Sequence, residues 1–383
     1  QFEIGRRPID VIGERPDGPT LAPFTIDYDN AQPNQDQFVE EVNQLLSDAE
    51  SVHGGGVVLA LDFTLNPAMG YGSGADDPTR VDAEETEEVM SSAADANPAE
   101  GKIWIADYGL PDDNTAGLPP NVSGDVGQPR PGSGEPITTQ YGHGLMVASV
   151  AAQVAPKAEV TVVDVTEDVP NGRQVISVTS IDEALNNAGV IRFDGPSVLN
   201  LSLGFYDCDG LSSVNYEGTL AAALDAVLEP YIADPEVTVV AAAGNDYTSQ
   251  PFYPAALPGV QGVGASDVTV LNTEECLMGG LEAWSPADQA TGSCADHAGQ
   301  AAPFTNYGPN ARLDPADLDQ EQIFRPGVDM VVHYPVLDPP IEYKYFDHSE
   351  TAFLGSGRVR VSGSSLAAPF YSACLQADGT SGC

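Results

Sequence analysis

Short runs of aliphatic and β-branched residues recur along the chain, and most of them end at a polar residue or a glycine turn. Four of these runs predict buried strands, at residues 57–61, 103–106, 160–163 and 237–240. Longer apolar segments that favour helices lie elsewhere in the chain. This mixture of strands and helices is typical of an α/β protein.

Two of the apolar segments predict helices that begin at small residues. The turn Tyr141-Gly142-His143-Gly144 leads into the apolar stretch 145–152, which places His143 at a helix start. Further along, the glycine-flanked pair Ser364-Ser365 opens a helix rich in small residues. Both helix starts therefore present a side chain with catalytic potential.

Ser365 is a candidate nucleophile. A serine hydroxyl is weak at neutral pH, so the chemistry needs a base to take its proton and donors to hold the oxyanion that forms. On its own, a Gly-Ser-Ser stretch is more often a turn and a helix N-cap, because serine caps helices well. The assignment therefore depends on other segments that supply a base and a donor.

Two other residues could supply these groups. The chain has five histidines, and only His143 stands between glycines at a helix start, which favours it as the base. Asn245 lies just beyond the strand predicted at 237–240, and ligand sites in open α/β sheets lie at the carboxyl ends of strands. The alternative interpretations are an ordinary partly buried histidine and a turn asparagine.

Three aspartates follow predicted strands and could hold the tautomer of a histidine. Asp107 follows the strand predicted at 103–106 and leads into a glycine turn. Asp62 lies far upstream of His143 and lacks that turn, and Asp164 comes after the histidine and fits the next strand. We favour Asp107, with Asp62 as the alternative.

The order Asp107, His143, Asn245, Ser365 resembles that of the subtilisin-like serine proteases, the subtilases. Other segments between about residues 101 and 375 resemble that family in the expected sequence: 154–158, 198–204, 253–260, 304–308 and 325–329. The resemblance implies an α/β fold of three layers, in which helices flank a mostly parallel central sheet.

The resemblance also implies a role for each candidate. Ser365 is the nucleophile, His143 the general base and then acid, and Asp107 the carboxylate that orients the histidine. Asn245 and the backbone N–H of Ser365 form the oxyanion hole.

Substrate binding is implied at two further segments. The substrate backbone is expected to pair with the edge of the strand Ser202-Leu203-Gly204, because peptides bind sheet edges by strand addition. The segment Ala242-Ala243-Gly244 is expected to help wall the primary pocket.

The predicted domains are a catalytic domain over residues 101–383 and an N-terminal extension over 1–100. Within the extension, the amphipathic segment 36–46 predicts a helix that precedes the strand at 57–61, and the acidic stretch 76–100 predicts a linker or surface helix. A retained inhibitory prosegment is the alternative. Only eighteen residues follow Ser365, whereas the family usually continues through further C-terminal helices. We therefore expect either that the chain has been cut or that the N-terminal extension fills the space of those helices.

The cysteines favour an oxidising, extracellular setting. Cys276 with Cys294, and Cys374 with Cys383, could pair locally and leave Cys208 unpaired, and no Cys-x-x-Cys spacing indicates a zinc site. The chain starts without methionine, which fits a processed, secreted protein, and no apolar run is long enough to span a membrane.

Charge is the strongest compositional signal. The chain carries 57 acidic and 14 basic residues, a formal net charge of −43 at pH 7, which excludes nucleic-acid binding. Such like charge weakens the compact state unless salt or bound cations screen it, so we expect a salt-adapted protein from a high-salt environment. A protein with calcium sites or one suited to low pH is the alternative.

No cofactor is expected for the chemistry itself. The family often binds calcium as a structural ion, and Asp112, Asp113 and Asn114 offer oxygen ligands for one, although the sequence assigns no ligand set.

The sequence thus predicts a secreted serine endopeptidase that hydrolyses protein or peptide substrates through an acyl-enzyme. The alternative is a catalytically idle subtilase-like domain that serves as a structural or binding module in a larger assembly. Four suitable residue types in the expected order favour the enzyme. The oligomeric state and the substrate preference are left open.

Overall fold

The structure is a computed structural model of the chain. The residues that it describes are 66–67, 79–80, 100–111, 118–128, 141–168, 174–186, 195–206, 219–266, 301–302, 304–312, 322–328, 330–334, 341–344, 351–354 and 357–378. The helix predicted at 36–46 and the strand predicted at 57–61 lie outside these residues.

The chain divides into two compact units. The smaller comprises Gln1–Phe63 and Asp207–Pro230, and the larger comprises Thr64–Tyr206 and Tyr231–Cys383. This division differs from the boundary predicted at residue 100, which stays a prediction. All candidate site residues that the structure describes belong to the larger unit.

Nineteen strands, four α-helices and one short 3-10 helix (Gly308–Asn310) occur among the described residues. The strands are β1 (Asn66–Pro67), β2 (Thr79–Arg80), β3 (Lys102–Asp107), β4 (Leu110–Pro111), β5 (Val122–Gly124), β6 (Val126–Gln128), β7 (Glu159–Asp164), β8 (Thr166–Asp168), β9 (Gln174–Ile176), β10 (Ser197–Leu201), β11 (Leu203–Tyr206), β12 (Val237–Ala242), β13 (Phe252–Tyr253), β14 (Gln261–Ser266), β15 (Phe324–Pro326), β16 (Met330–His333), β17 (Ile341–Lys344), β18 (Thr351–Leu354) and β19 (Arg358–Val361). The α-helices are α1 (His143–Val154), α2 (Val178–Asn186), α3 (Thr219–Ile232) and α4 (Ser364–Asp378).

Seven strands form the central sheet, in the order β15-β14-β12-β10-β3-β7-β5, and every neighbouring pair is parallel. All five residues of β10 are buried, as are five of the six residues of β12. Continuous apolar runs suit parallel strands because both faces of such a sheet are covered. The predicted α/β fold with a mostly parallel central sheet is confirmed.

The direction in which successive strands are added reverses at β3. The chain goes from β3 toward β7 on one side and later returns to place β10 on the other side. Crevices at the carboxyl ends of strands beside such a reversal are the usual ligand sites of open α/β sheets. The last residue of β3 is Asp107, so the sheet places this carboxylate where a site is expected.

Helices α1 and α4 pack against each other and against the sheet. Nearly every residue of α1 is buried, which suits its apolar sequence. Its one internal serine, Ser149, donates its hydroxyl to the carbonyl of Met146 (3.1 Å) and accepts the backbone N–H of His333 (3.0 Å). A polar side chain thus joins the middle of α1 to the end of β16.

A smaller sheet contains β16, β19 and β2. Thr79 and Arg80 pair antiparallel with Arg360 and Val359 of β19. These two residues of the segment 76–100, predicted as a linker or surface helix, therefore form a strand. The pairing uses backbone groups of a strand far away in the sequence, which the acidic composition of the segment does not reveal.

Candidate active site

Two glycines bring the start of α1 against the turn that follows β3. Gly142 has φ 78°, a left-handed conformation that favours glycine. A Cβ added to Gly144 would lie 2.0 Å from the carbonyl oxygen of Tyr108, so only glycine permits this approach. The Gly-His-Gly turn therefore positions His143 beside the residue that ends β3.

His143 and Asp107 form a buried pair. The Nδ1 atom of His143 lies 2.7 Å from Oδ1 and 2.9 Å from Oδ2 of Asp107, and each residue is only 1% exposed. A carboxylate can only accept hydrogen bonds when it is ionised, so a neutral imidazole in this arrangement has its proton on Nδ1 and its lone pair on Nε2. Nε2 is buried and has no hydrogen-bond partner among the described residues. This histidine is arranged to act as a base.

Of the three candidate aspartates, the structure describes Asp107 and Asp164, and these two have different hydrogen-bond partners. Asp107 contacts His143, whereas Asp164, its neighbour in register on β7, accepts hydrogen bonds from the N–H (3.0 Å) and the hydroxyl (2.7 Å) of Thr166. Asp62 lies outside the described residues. The preference for Asp107 over Asp164 therefore agrees with the geometry.

Burial raises the pKa of the Asp164 carboxyl above its ordinary value of 3.8, because desolvation outweighs the hydrogen bonds from Thr166 and from the N–H of Gly109. The nearby Asp125 carboxylate raises the pKa further. A folded-state pKa above the unfolded value means that ionised Asp164 reduces stability at neutral pH. This cost disappears as the pH falls through the raised pKa.

We therefore predict a pH-dependent difference between the parent protein and an Asp164→Asn variant. As the pH is lowered from 7 toward 4, the parent should gain free energy of unfolding relative to the variant, because only the parent can take up a proton at this position. Urea unfolding at several pH values measures this difference. A difference that stays constant with pH, or that changes in the opposite direction, would contradict the prediction.

Asn245 is held by the start of α4. Its Oδ1 accepts the backbone N–H of Ser364 (2.8 Å), and the preceding residue, Gly244, donates its N–H to the hydroxyl of Ser364 (3.0 Å). Because a backbone N–H can only donate, the accepting atom is the amide oxygen, and this fixes which end of the side chain carries the donor Nδ2. Sequence reasoning gave Ser364 no role, although the serine pair at the helix start was visible.

Ser365 is the second residue of α4 and is 1% exposed. Its carbonyl accepts the hydroxyl of Ser202 (2.8 Å), which in turn accepts Nδ2 of Asn200 (2.9 Å). The hydroxyl of Ser372, two turns further along α4, donates to Oδ1 of Asn200 (3.1 Å). These bonds tie the end of β10 to the start of α4, whose neighbouring helix α1 begins at His143.

The strand predicted to bind substrate has both of its edges paired. Strand β11 lies between β1 and β13, with Asn66 opposite Gly204 and Pro67 opposite Leu203 in antiparallel register. The edge expected to receive a substrate backbone is therefore covered at these two positions by a segment of the chain itself. Ser202, the residue immediately before β11, is fully buried.

The segment predicted to wall the primary pocket follows directly from β12. Ala242 and Ala243 are fully buried. Gly244 has φ 96°, and a Cβ added to it would lie 2.3 Å from Nδ2 of Asn306. The pocket role of these residues stays a prediction.

The remaining site predictions meet few described residues. No group of three or more His, Cys, Asp or Glu side chains is arranged to hold a metal ion in the part of the chain that the structure describes, and residues 112–114 lie outside it. Cys374 is disulfide-bonded, and the other four cysteines lie outside the described ranges, so the predicted pairings stay predictions. Within those ranges we find no helix with the length and apolar character needed to cross a membrane.

A comparison with protein-family models matches a range that contains most of the candidate site residues. The model of the Subtilase family matches residues 113–376, more than half of the chain. The match includes His143, Asn245 and Ser365 and begins just after Asp107. The chain belongs to the subtilase family. Membership supports a protease function of the serine type for this subtilase.

The similarity of this subtilase to individual proteins is limited in coverage or in sequence identity. It is 35% identical over 142 residues to subtilisin-like protease 2 of Pseudogymnoascus destructans (strain ATCC MYA-4855 / 20631-21), an alignment that covers 36% of this chain and 31% of that relative. Among solved structures, it is similar to a lanthipeptide protease (18% identity, TM-score 0.46, 79% of this chain and 84% of that one). It is also similar to a cold-adapted subtilisin-like serine proteinase (17% identity, TM-score 0.40, 81% and 84%).

Proposed function

We propose that this subtilase is a serine endopeptidase that hydrolyses peptide bonds through an acyl-enzyme at Ser365. The observation that carries the proposal is the buried Asp107–His143 pair, whose imidazole presents an unpartnered Nε2 within the described residues. A buried histidine held by a carboxylate at one nitrogen has its other nitrogen available for proton transfer.

In the proposed first step, Nε2 of His143 removes the proton of the Ser365 hydroxyl as Oγ attacks the carbonyl carbon of the substrate. A new C–O bond forms, and the carbonyl π electrons move to oxygen. The tetrahedral intermediate then collapses, the C–N bond breaks, and His143 gives its proton to the leaving amine. Water, activated by the same histidine, later hydrolyses the acyl-enzyme. Asp107 stabilises the imidazolium throughout but does not itself take the proton.

The oxyanion of that intermediate would be held by Nδ2 of Asn245 and by the backbone N–H of Ser365. Ser364 fixes the orientation of the Asn245 amide through Oδ1, so its donor end is defined before substrate binds. The N–H of Ser365 belongs to the first turn of α4, where backbone donors have no partner within the helix and the helix dipole favours negative charge.

Proteolysis of a denatured protein such as casein tests the endopeptidase assignment. We expect new peptide ends inside the substrate chain, detected by mass spectrometry, and no cleavage by a Ser365→Ala variant. Release of terminal residues alone would contradict the endopeptidase assignment. The alternative of a catalytically idle module predicts no cleavage by either protein, and no observation on the described residues favours it.

For a peptide to extend β11 at Leu203 and Gly204, it must replace Asn66 and Pro67 at that edge. Strand addition uses backbone hydrogen bonds that only one partner at a time can make. Substrate binding in the predicted mode therefore competes with a pairing that is internal to the chain.

We also propose that the protein is secreted, on the basis of its cysteines. Its net charge of −43 supports the further proposal that it is adapted to high salt. Screening shortens the range of repulsion from about 10 Å at 0.1 M salt to about 3 Å at 1 M. We predict that the thermal unfolding midpoint rises from low salt to molar NaCl, as measured by circular dichroism. A midpoint that is unchanged or falls would contradict the salt adaptation. Calcium as a structural ion stays a proposal without assigned ligands, and no step of the mechanism depends on it.

A further inference from the structure

Asn306 lies on a loop that is distant in the sequence and forms several hydrogen bonds with the turn that carries Asn245. It is fully buried and lies about sixty positions further along the chain. Its backbone N–H donates to the carbonyl of Gly244 (2.9 Å), the residue immediately before Asn245. The backbone of Asn306 is thus attached to one side of the candidate oxyanion residue.

Its side chain forms hydrogen bonds with the turn on both sides of Asn245. Oδ1 accepts the N–H groups of Asp246 (3.0 Å) and Thr248 (3.2 Å), and Nδ2 donates to the carbonyl of Ala243 (2.8 Å). Both ends of one amide are therefore used on a single turn. The side chain leaves no room for a Cβ at Gly244, whose positive φ shapes that turn.

A fourth side-chain bond connects this amide to Tyr206 at the end of β11. Nδ2 of Asn306 donates to the Tyr206 hydroxyl (2.5 Å), which itself donates to Oδ2 of Asp246 (2.6 Å). Burial raises the pKa of Tyr206 well above its ordinary value, so its hydroxyl keeps the proton that it donates. Asp246 is consequently held through its backbone by Asn306 and through its side chain by Tyr206.

We infer that Asn306 is a positioning residue for the oxyanion hole, which it serves by fixing the turn on which Asn245 stands. The inference rests on the proposed function of Asn245. Donors of this kind act only when they are placed beforehand at the position of the developing charge, and small displacements are costly to catalysis. Ser364 anchors the Asn245 side chain, and Asn306 anchors the backbone on either side of it.

The chain offers a matched control in Asn310. This asparagine is also fully buried, and its side chain makes similar bonds, with Oδ1 accepting the N–H of Phe252 (2.8 Å) and Nδ2 donating to the carbonyls of Gln250 (2.8 Å) and Tyr307 (3.2 Å). None of these partners belongs to the turn 243–248. Loss of either amide should affect stability, but only one of them should affect the oxyanion.

The first experiment compares Asn306→Ala and Asn310→Ala on a peptide substrate at a temperature where both are folded. We expect Asn306→Ala to lower kcat by about 10- to 100-fold with KM within about twofold, and Asn310→Ala to keep kcat. Inhibition by a peptide aldehyde, whose adduct carries an oxyanion, should weaken in Asn306→Ala by the same factor as kcat/KM. An unchanged kcat in Asn306→Ala, or equal losses in both variants, would overturn the inference.

The second experiment is a double-mutant cycle with Asn245→Ala. If Asn306 acts through Asn245, then Asn306→Ala should cost almost nothing further in kcat once Asn245 is absent. Fully multiplicative losses would overturn the inference. If Asn306→Ala does not fold, Asn306→Asp replaces it in both experiments, because the aspartate keeps acceptors for Asp246 and Thr248 but cannot donate to Ala243.

The failure of this inference can be distinguished from failure of the proposed function. A parent protein that does not react with a fluorophosphonate at Ser365 contradicts the proposed function. A parent that reacts normally, together with an Asn306→Ala variant of unchanged kcat, contradicts only the role of Asn306.

Discussion

Replacing Ser365 by alanine is expected to lower kcat for peptide hydrolysis by about 10⁶, a size known from subtilisin itself. The variant has no hydroxyl to form the acyl-enzyme, and alanine fits the same buried position at the start of α4 without an added atom. Single-turnover kinetics with an internally quenched peptide measures the loss. Turnover within tenfold of the parent would remove Ser365 from the mechanism.

The same account predicts strong non-additivity with His143. The imidazole acts by removing the Ser365 proton, so it has little left to do once that hydroxyl is absent. The double variant Ser365→Ala with His143→Ala should therefore be about as slow as either single variant. Independent losses that multiply would show that the two residues do not act as a unit.

Replacing Asp107 by asparagine is expected to lower kcat by about 10⁴, the size of the wrong-tautomer effect in another Ser-His-Asp triad. The asparagine Nδ2 donates a hydrogen bond, and if it faces Nδ1 of His143, that nitrogen must become the acceptor. The proton then moves to Nε2, where it blocks removal of the serine proton. Steady-state kinetics at neutral pH checks this prediction.

Asp164→Asn is the matched control for that experiment. Asp164 lies in register with Asp107 on the neighbouring strand, but its carboxyl bonds to Thr166 instead of His143. The same change of carboxylate to amide should leave kcat within about twofold there. A near-parental kcat for Asp107→Asn would place the histidine partner elsewhere.

Much of the central sheet could be predicted because each strand carries its own signal. The runs at 103–106, 160–163 and 237–240 are apolar on both faces, and the structure places them in β3, β7 and β12 of one parallel sheet. The turn glycines also had local causes, since Gly142 requires a positive φ and Gly144 allows close approach. These local patterns in the sequence therefore support the prediction that His143 lies beside Asp107.

The features that were missed depend on partners far away in the sequence. Asn66 and Pro67 form a strand of only two residues, too short for any periodicity, and their pairing with β11 depends on the backbone of that strand. Thr79 and Arg80 are similar in their pairing with β19.

Asn306 lies in the segment 304–308, which resembles the family in sequence. Its inferred role depends on hydrogen bonds to residues 243–248, which no spacing rule connects to it. The sequence thus predicted candidate groups for the chemistry but not the residues that hold those groups in place.

The most direct test of the central claim is the reaction of the folded protein with a fluorophosphonate, followed by intact-mass measurement and peptide mapping. We predict one adduct per chain, located on Ser365, no adduct in Ser365→Ala, and much slower labelling in His143→Ala. A folded protein that shows no adduct on Ser365 would contradict the claim that this residue is an activated nucleophile.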